Sequence, residues 1–238
     1  AGGHSVSTID KFQFATSNNA TNHGNIIAVR HSQTSCNNRT DGFIMGGQSF
    51  LDTIEKYSFA SNTTAAAHGT LSEASNDKIG TSSTTHGYAA GGYSYLLSSD
   101  LALRFRTTID KFAFASNVSS TGHGNLVTQR VHGSGTSSTT DSFVASGANS
   151  TGDITSIEKY SFASNTTAAN HGDVSNNRDG CASSSHTTHG YSSGGQQNTG
   201  PANGAINVID KFAYSSNVTA ADHGDLVQGS YAGSGHQY

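Results

Sequence analysis

Histidine, lysine and carboxylate side chains recur at fixed spacings in this chain of 238 residues. A His-Gly pair follows each of five isoleucines by 14 residues, and the five histidines are His23, His68, His123, His171 and His223. An acid and a lysine directly follow the same isoleucines, as Asp10-Lys11, Glu55-Lys56, Asp110-Lys111, Glu158-Lys159 and Asp210-Lys211. Side chains of these types bind metal ions and transfer protons. Their spacing decides whether they can act together.

The spacing argues against a shared metal site. Each of the five histidines holds the same place in its own repeat, so the repeats keep these side chains apart, whereas a metal ion needs three or four ligands around one point. We therefore expect each histidine to pack or hydrogen-bond within its own repeat. Three further histidines, His86, His186 and His189, lie near predicted hairpin ends, where a metal site formed by chance is the alternative.

Each acid-lysine pair lies in a segment with two aromatic residues two positions apart, which is typical of a strand. Because neighbouring strand residues face opposite sides, the acid and the lysine cannot pair with each other. We expect each carboxylate to bridge to a lysine or arginine of the next repeat. The sequence has no Gly-x-Ser-x-Gly nucleophile elbow and no phosphate-binding loop leading into a helix. It predicts a protein that is not an enzyme, with no catalytic residue, no metal ligand and no cofactor.

The elements that position these residues form a repeat architecture. The five copies start at Ile9, Ile54, Ile109, Ile157 and Ile209, at intervals of 45, 55, 48 and 52 residues. From the glycine of each of the first four His-Gly pairs, 22 residues lead to a Gly-Gly pair or its equivalent, and only the stretch after that pair varies in length. A constant unit with one variable connection is typical of repeat proteins that carry function on loops.

Residue types within a unit predict four short antiparallel strands. The aromatic strand is followed by a turn, a short His-Gly strand, a Ser/Thr-rich strand and a strand that ends in Gly-Gly. We expect tight hairpin turns with positive φ at Asp41-Gly42, His86-Gly87 and His189-Gly190. Four-stranded units at this period predict an all-β fold, a β-propeller with five blades.

The chain ends predict how the propeller closes. Residues 232–238 match the Ser/Thr strand and residues 1–3 match the end of the strand after it, so the N- and C-terminal strands pair in one blade and remove exposed sheet edges. The predicted single domain spans residues 1–238. Its blades are blade 1 (1–27 plus 228–238), blade 2 (28–72), blade 3 (73–127), blade 4 (128–175) and blade 5 (176–227).

Composition narrows the possible partners. The formal net charge is -4 and only 12% of residues are charged, which indicates neither a nucleic-acid nor a charge-held membrane partner. No run of about 18 apolar residues occurs, so we expect no membrane span. The two cysteines, Cys36 and Cys181, lie in different places of separate repeats, and we interpret them as free thiols.

The repeat resembles the kelch-type propeller repeat. The order of an arginine, a Ser/Thr strand, an aromatic strand ending in Gly-Gly, a loop and an acid-x-aromatic strand is shared, and Arg30, Arg130 and Arg178 stand where that repeat often has arginine. The chain lacks the tryptophan usual in kelch repeats, and His-Gly holds roughly its place. The amino-acid sequences of Asp210 to Leu226 and Thr85 to Gly92 are similar to repeats in structural proteins of bacteriophages and other viruses. This resemblance implies a virion or tail-fibre surface role.

The variable loops all leave the Gly-Gly strand, so we expect them on one rim. The longest runs from Tyr93 to Thr108 and combines apolar side chains with arginine, a mixture favoured at protein interfaces. Two interpretations stay open: it contacts another chain, or it folds back over its own propeller. The predicted partner-binding residues are Tyr93, Tyr95, Leu96, Leu97, Arg104, Phe105 and Arg106.

We therefore expect a non-enzymatic binding module that is extracellular or on a virion surface. Its rim loops contact a host surface glycan, a host receptor or a neighbouring structural protein. A multivalent carbohydrate-binding lectin with sugar sites between blades is the alternative. A five-bladed glycosidase is a less favoured one, since it needs two acids within one pocket, about 5 to 10 Å apart.

Overall fold

The computed structural model describes residues 6–48, 50–94, 104–198 and 204–233. Within these ranges the chain is all-β and contains no α-helix. Its strands form four four-stranded antiparallel sheets and three two-stranded ones. No helix of the described ranges is long and apolar enough to cross a membrane. Cys36 and Cys181 are buried free thiols, as predicted.

The sheets follow one another along the chain. Sheet 1 contains β1 (Thr8–Lys11) and β2 (Thr21–Asn25). Sheet 2 contains β3 (Thr34–Asn37), β4 (Asp41–Met45), β5 (Thr53–Ser58) and β6 (Ala66–Thr70). Sheet 3 contains β7 (Ile79–Ser82), β8 (His86–Ala90), β9 (Thr108–Ala113) and β10 (Thr121–Asn125).

The last two sheets each carry a short extra hairpin in the loop between their second and third strands. Sheet 4 has β11 (Ser134–Ser137) and β12 (Asp141–Ala145), the hairpin β13 (Ala148–Asn149) and β14 (Gly152–Asp153), then β15 (Ser156–Ser161) and β16 (Ala169–Asp173). Sheet 5 has β17 (Ala182–Ser185) and β18 (His189–Ser193), the hairpin β19 (Gln196–Gln197) and β20 (Gly204–Ala205), then β21 (Val208–Ala213) and β22 (Ala221–Asp225). The sequence did not predict these hairpins.

The second strand of a sheet is buried on both faces. In β4 the last four residues are all buried, as are those of β8 and β12. Phe43 and Ile44 therefore point to opposite faces and both avoid water. A strand with no polar face must lie between two neighbouring layers, so sheets 2, 3 and 4 each pack against a sheet on either side.

The His-Gly pair forms a β-bulge at the outermost strand of each sheet. In sheet 2, Ile54 pairs with Gly69 and Glu55 with Ala67, so His68 is the extra residue. A bulge re-aims the side chain of its extra residue, and here it turns the imidazole towards the next sheet. The glycine that follows takes a positive φ in four repeats, at Gly24, Gly124, Gly172 and Gly224.

Four of these histidines each join two sheets. The Nε2 of each donates to a backbone carbonyl near the end of the third strand of the following sheet. The bonds run from His23 to Ser58 (2.8 Å), His68 to Ala113 (2.8 Å), His123 to Ser161 (2.8 Å) and His171 to Ala213 (2.9 Å). The expectation of a bond within the histidine's own repeat is therefore wrong, because the bulge points the ring outwards.

Aromatic rings fill the space around the bonds of His68, His123 and His171. Phe43 of sheet 2 stacks on Phe114 of sheet 3 with 4.6 Å between ring centroids, and His68 lies edge-on to Phe43. Tyr88 stacks on Phe162 in the same way between sheets 3 and 4, at 4.9 Å. Offset or edge-to-face ring pairs are the favourable geometries. One packing arrangement thus recurs from sheet to sheet.

The first strands of the sheets lie side by side in the order β3, β7, β11 and β17. Their close approach requires glycine, since a Cβ on Gly80 would overlap the Ser35 carbonyl, and one on Gly135 would lie 2.5 Å from the Gly80 carbonyl oxygen. The Ser137 N–H of sheet 4 donates to Ser185 Oγ of sheet 5, at 3.2 Å. Four-stranded sheets with adjacent first strands are consistent with a propeller.

The contact between sheets 5 and 1 is not formed among the described residues. A Cβ added to Gly224 meets nothing within 4 Å, whereas one added to Gly172 would overlap the Val218 carbonyl of the next sheet. Phe12 of sheet 1 is 63% exposed, while its counterpart Phe112 is 1% exposed. Of the residues predicted to close the ring, 1–3 and 234–238 lie outside the described residues.

The predicted hairpin turns are shifted by one to three residues. Asp41-Gly42, His86-Gly87 and His189-Gly190 begin their strands, and none of these glycines has positive φ. Glycine is needed at Gly42 for another reason. An added Cβ would overlap the Tyr57 ring of the neighbouring strand.

Replacing His68 by alanine should lower the free energy of unfolding by about 2–4 kcal/mol, because it leaves the Ala113 carbonyl without its donor and creates a cavity between sheets. Urea unfolding followed by far-UV circular dichroism measures this effect. His186→Ala, in an exposed turn, is the matched control and should change little. Equal losses in the two variants would refute the inter-sheet role of His68.

Candidate binding rim

The variable loops and the connections between sheets lie at one end of the strands. The start of each first strand pairs with the end of the second strand, as Thr34 does with Met45. Loop 46–52 after β4 and connection 26–33 before β3 therefore meet at the same edge, and the other sheets repeat this. We call this edge the loop rim. The opposite edge, with the turns at 38–40 and 83–85, is the turn rim.

A buried ion pair lies beneath the loop rim in each of sheets 2 to 5. The cation comes from the connection that leads into the sheet, and the acid comes from the third strand of that same sheet. The pairs are Arg30–Glu55, Lys78–Asp110 (3.2 Å), Arg130–Glu158 (2.5 Å) and Arg178–Asp210 (2.8 Å). In sheets 2 to 5 the predicted bridge from the carboxylate to the next repeat is therefore wrong, because the cation that reaches the acid precedes it in the same unit.

Further hydrogen bonds hold the Arg130–Glu158 pair in place. Glu158 accepts from the backbone N–H groups of Val127 (2.6 Å) and Thr128 (2.9 Å), and Arg130 donates to the Ser146 carbonyl at 3.0 Å. Burial lowers the pKa of Arg130, and the charge of Glu158 opposes that shift. The Glu158 carboxylate is thus held by an arginine and two N–H groups. It ties the connection to the sheet.

Sheet 3 reaches the same pairing with different residues. The arginine position, six residues after the His-Gly glycine, is Ser75 in this repeat. Lys78, three residues further along, supplies the cation and donates to the Gly91 carbonyl at 3.0 Å. Lysine has a single ammonium group on a shorter side chain, whereas arginine has a planar guanidinium with several donors. The cation in sheet 3 therefore comes from a later position in the connection.

A chain of backbone hydrogen bonds links the connections around the first strands. The N–H groups of Asp77, His132, Gly180 and Ala232 donate to the carbonyls of Ser32, Asp77, His132 and Gly180, respectively. These five residues stand at one repeat position, and all have φ between 55° and 65°. Four of the five are not glycine, a conformation that costs free energy. The bonds hold each connection to the previous one.

His132 adds side-chain ion pairs to this backbone chain. Its Nε2 lies 3.0 Å from Asp77 Oδ1 and its Nδ1 lies 3.3 Å from Asp179 Oδ2. Hydrogen bonds to Asp179 and Asp77 raise the pKa of His132 to about 10. The imidazolium therefore joins the connections that lead into sheets 3, 4 and 5. Solvent weakens this effect, because the side chain is 45% exposed.

Part of the predicted partner-binding loop folds back on its own sheet. Tyr93 bridges to Phe105, their rings meet edge-on at 5.3 Å, and Arg104 donates to the Tyr93 hydroxyl at 3.2 Å. Arg106 pairs with Glu73 at 2.5 Å. These contacts anchor the base of the loop. The predicted residues Tyr95, Leu96 and Leu97 lie outside the described residues.

Two neighbouring loops of this rim are joined. The Asn198 side chain and backbone donate to the Asp153 carboxylate at 3.0 and 2.7 Å, and the side chain also donates to Asp179 at 3.3 Å. Asp153 lies in the sheet 4 hairpin and Asn198 in the sheet 5 loop. The rim thus presents a surface that is continuous from one sheet to the next.

Groups that could perform metal chemistry are not gathered in the described part of the chain. No set of three or more histidine, cysteine or acidic residues there could hold a metal ion. The His186 and His189 rings are 6.4 Å apart. Sequence reasoning missed the Asp77, His132 and Asp179 cluster. Its one signal was the shared repeat position of Asp77 and His132, eight residues after the His-Gly glycine.

Comparisons with known proteins address the fold alone. No protein-family model matches the sequence, and no curated protein matches it. Among solved structures, the chain is similar to one described as "Structure of YjhT", with a TM-score of 0.70 and 10% sequence identity. The match covers 85% of this chain and 68% of that chain. The match supports a β-rich fold that is compatible with a propeller.

The His132 cluster predicts a defined pH dependence. Because the folded-state pKa lies above the ordinary value of 6.5, the stabilisation is fully present below about pH 6.5 and is lost as the pH rises through about 10. Urea unfolding of the wild type and of His132→Gln should differ most near pH 6 and converge at about pH 11. A difference that stays constant or grows with pH would contradict the cluster's role. His186→Gln serves as the control.

Proposed function

We propose that the chain is a five-bladed, kelch-like β-propeller that acts as a non-enzymatic binding module. Its blades take the ranges 1–27 plus 228–238, 28–72, 73–127, 128–175 and 176–227. The loop rim contacts the partner, which is a host receptor or a neighbouring structural protein on a virion or tail fibre. The viral setting is supported by the resemblance of the repeat sequences to those of viral structural proteins. The fold is supported by the recurring four-stranded sheets.

The observation that supports this proposal is that, within each repeat, the polar residues of the sheets hold the fold together while the loops vary. The buried charges and the bulge histidines bond within the frame, as the Arg130–Glu158 pair and His123 do. The loops after the second strands differ from sheet to sheet in length, residues and structure. Binding scaffolds typically use the polar groups of their framework to hold the framework together, and they vary in the loops of one rim.

Ring closure is supported by the complementarity of the two open faces. Sheet 5 repeats the donor side of the inter-sheet contact with Tyr191 and His223, whose rings are 5.5 Å apart. Sheet 1 repeats the acceptor side, with Phe12 and the backbone of Gln13 at the positions of Phe112 and Ala113. We propose that these faces join, so that His223 donates to the Gln13 carbonyl. The terminal strands then complete the first blade.

The lectin alternative loses support at the positions where the sequence suggested it. Sugar sites between blades need open, polar space, and aromatic rings and histidines fill the space between neighbouring sheets, as Phe43 and His68 show. A glycosidase would need two acids in one pocket, and the repeated acids of sheets 2 to 5 are held by buried cations. We advance neither.

The setting and the loop can be tested together. An antibody against this chain should label intact virus particles from the source sample in immunogold electron microscopy, and purified protein should compete with those particles for adsorption to host cells. Replacing residues 95–103 by a Gly-Ser linker of equal length should weaken competition by about tenfold or more without changing the unfolding temperature. The matched control replaces residues 199–203 in the same way.

Absence of the chain from particles would refute the viral setting. Undiminished competition by the 95–103 variant would refute the binding role of that loop.

A further inference from the structure

The turn rim carries a feature that differs between alternate sheets. In sheet 2 the first residue of the second strand is Asp41, and in sheet 4 it is Asp141. The Asp41 carboxylate accepts from the Thr40 hydroxyl at 2.7 Å and pairs with Lys56 at 3.4 Å. Sheet 4 repeats this arrangement with Thr140 at 2.7 Å and Lys159 at 3.3 Å. In both sheets a carboxylate lies between a threonine hydroxyl and a lysine.

Sheets 3 and 5 keep the threonine and the lysine but replace the acid by histidine. His86 and His189 begin their second strands. The Thr85 hydroxyl lies 2.8 Å from His86 Nδ1, and the Thr188 hydroxyl lies 2.8 Å from His189 Nδ1. When the threonine donates to Nδ1, the neutral ring carries its proton on Nε2. The ring then offers a donor in place of the acceptor that aspartate supplies.

The lysine holds the same position whether or not the acid is present. The Nζ atoms of Lys56 and Lys159 lie 5.8 and 5.7 Å from the ring centroids of Phe43 and Phe143, and Lys111 Nζ lies 5.8 Å from that of Tyr88. The aromatic ring therefore fixes the ammonium group, and no acid is needed to place it. In sheet 3 the ammonium sits where a carboxylate would meet it.

No carboxylate of the described residues pairs with Lys111 or Lys211. Lys111 donates to the Phe162 carbonyl at 3.4 Å, which uses one of its three donors. Lys111 and His86 are both only partly buried, as are Lys211 and His189, so a small ligand can reach them. The neighbouring charged or titratable groups are His123 around His86, and His186 and His223 around His189.

We propose that sheets 3 and 5 each bind an external carboxylate at the turn rim, held between Lys111 and His86 in one and between Lys211 and His189 in the other. The ligand's carboxylate supplies the lysine with the negative partner that Asp41 and Asp141 provide in sheets 2 and 4. Lysine supplies the charge, the histidine Nε2 supplies a hydrogen bond, and the site suits an acidic sugar or another small carboxylate. This site lies on the rim opposite the variable loops and is independent of them.

Binding should strengthen at acidic pH. Protonation adds a positive charge to each ring, while burial and the charge of Lys111, followed by that of His123, lower the pKa of His86 below its usual value. Burial and the charges of Lys211, His186 and His223 lower the pKa of His189 as well. The affinity for a carboxylate therefore rises as the pH falls through and below 6.5, the ordinary histidine value.

The test follows the imidazole signals of His86 and His189 by NMR during titration with sodium glucuronate. Sodium acetate tests the bare carboxylate, and glucose and sodium chloride are the controls. Saturable shifts of both rings with glucuronate or acetate, but not with the controls, are expected. Tighter binding of glucuronate than of acetate would indicate an acidic sugar, and equal binding a carboxylate alone.

Two matched substitutions make the test decisive, because each copies a residue that another sheet already uses. His86→Asp supplies an internal carboxylate and should weaken binding in sheet 3 by about tenfold or more, leaving sheet 5 unchanged. Asp41→His should create a third site in sheet 2. Unshifted imidazole signals in the wild type, or undiminished sheet 3 binding in His86→Asp followed at Lys111 Nζ, would overturn the proposal. Unfolding temperatures confirm that both variants fold.

Discussion

The structure depends on the hydrogen bond from a bulge histidine to a carbonyl of the next sheet. A donor on a rigid ring, aimed outwards by the extra residue of a β-bulge, sets both the distance and the register between neighbouring sheets. The following glycine lets the next backbone approach closely, as Gly69 does against the Val118 carbonyl. Because bond and close approach recur together, four consecutive contacts have one geometry, and the stack can turn at a constant angle.

The other polar groups of the repeat are arranged around that contact. Buried pairs such as Arg178–Asp210 tie each connection to its sheet, and the backbone bonds from Ser32 to Ala232 tie the connections to one another. Buried charges of this kind are costly to break and add geometric definition more than stability. Once the frame is held in this way, both rims are free to differ between repeats. One varies in its loops and the other in single residues.

Much of the fold could be predicted from the sequence, because the repeat states it five times. Strand number, antiparallel order and the common origin of the variable loops follow from spacing and residue alternation, and sheets 2 to 5 confirm four strands in each. The partners of the repeated polar residues could not be predicted. Whether His68 bonds within its sheet or beyond it depends on a bulge, and a one-residue irregularity leaves no periodic signal.

The sites were less predictable than the frame for a related reason. A repeat pattern reveals what all units share, whereas a binding site arises where units differ. His132 bonds two aspartates only because three adjacent connections carry different residues at or near one position. His86 matters only by comparison with Asp41. Such sequence differences between repeats have no evident meaning until the structure shows which atoms they bring together.

The proposed contact between sheets 5 and 1, which would repeat the four contacts between the other neighbouring sheets, can be tested directly by fluorescence, because the chain contains no tryptophan. Phe12→Trp places a single fluorophore on the open face of sheet 1, and Phe112→Trp places one in a contact that is already formed. If sheets 5 and 1 join, both tryptophans will have blue-shifted emission and be equally protected from acrylamide, in contrast to an exposed Val118→Trp control. A tryptophan at position 12 that is quenched as readily as that control would show that sheets 5 and 1 do not join.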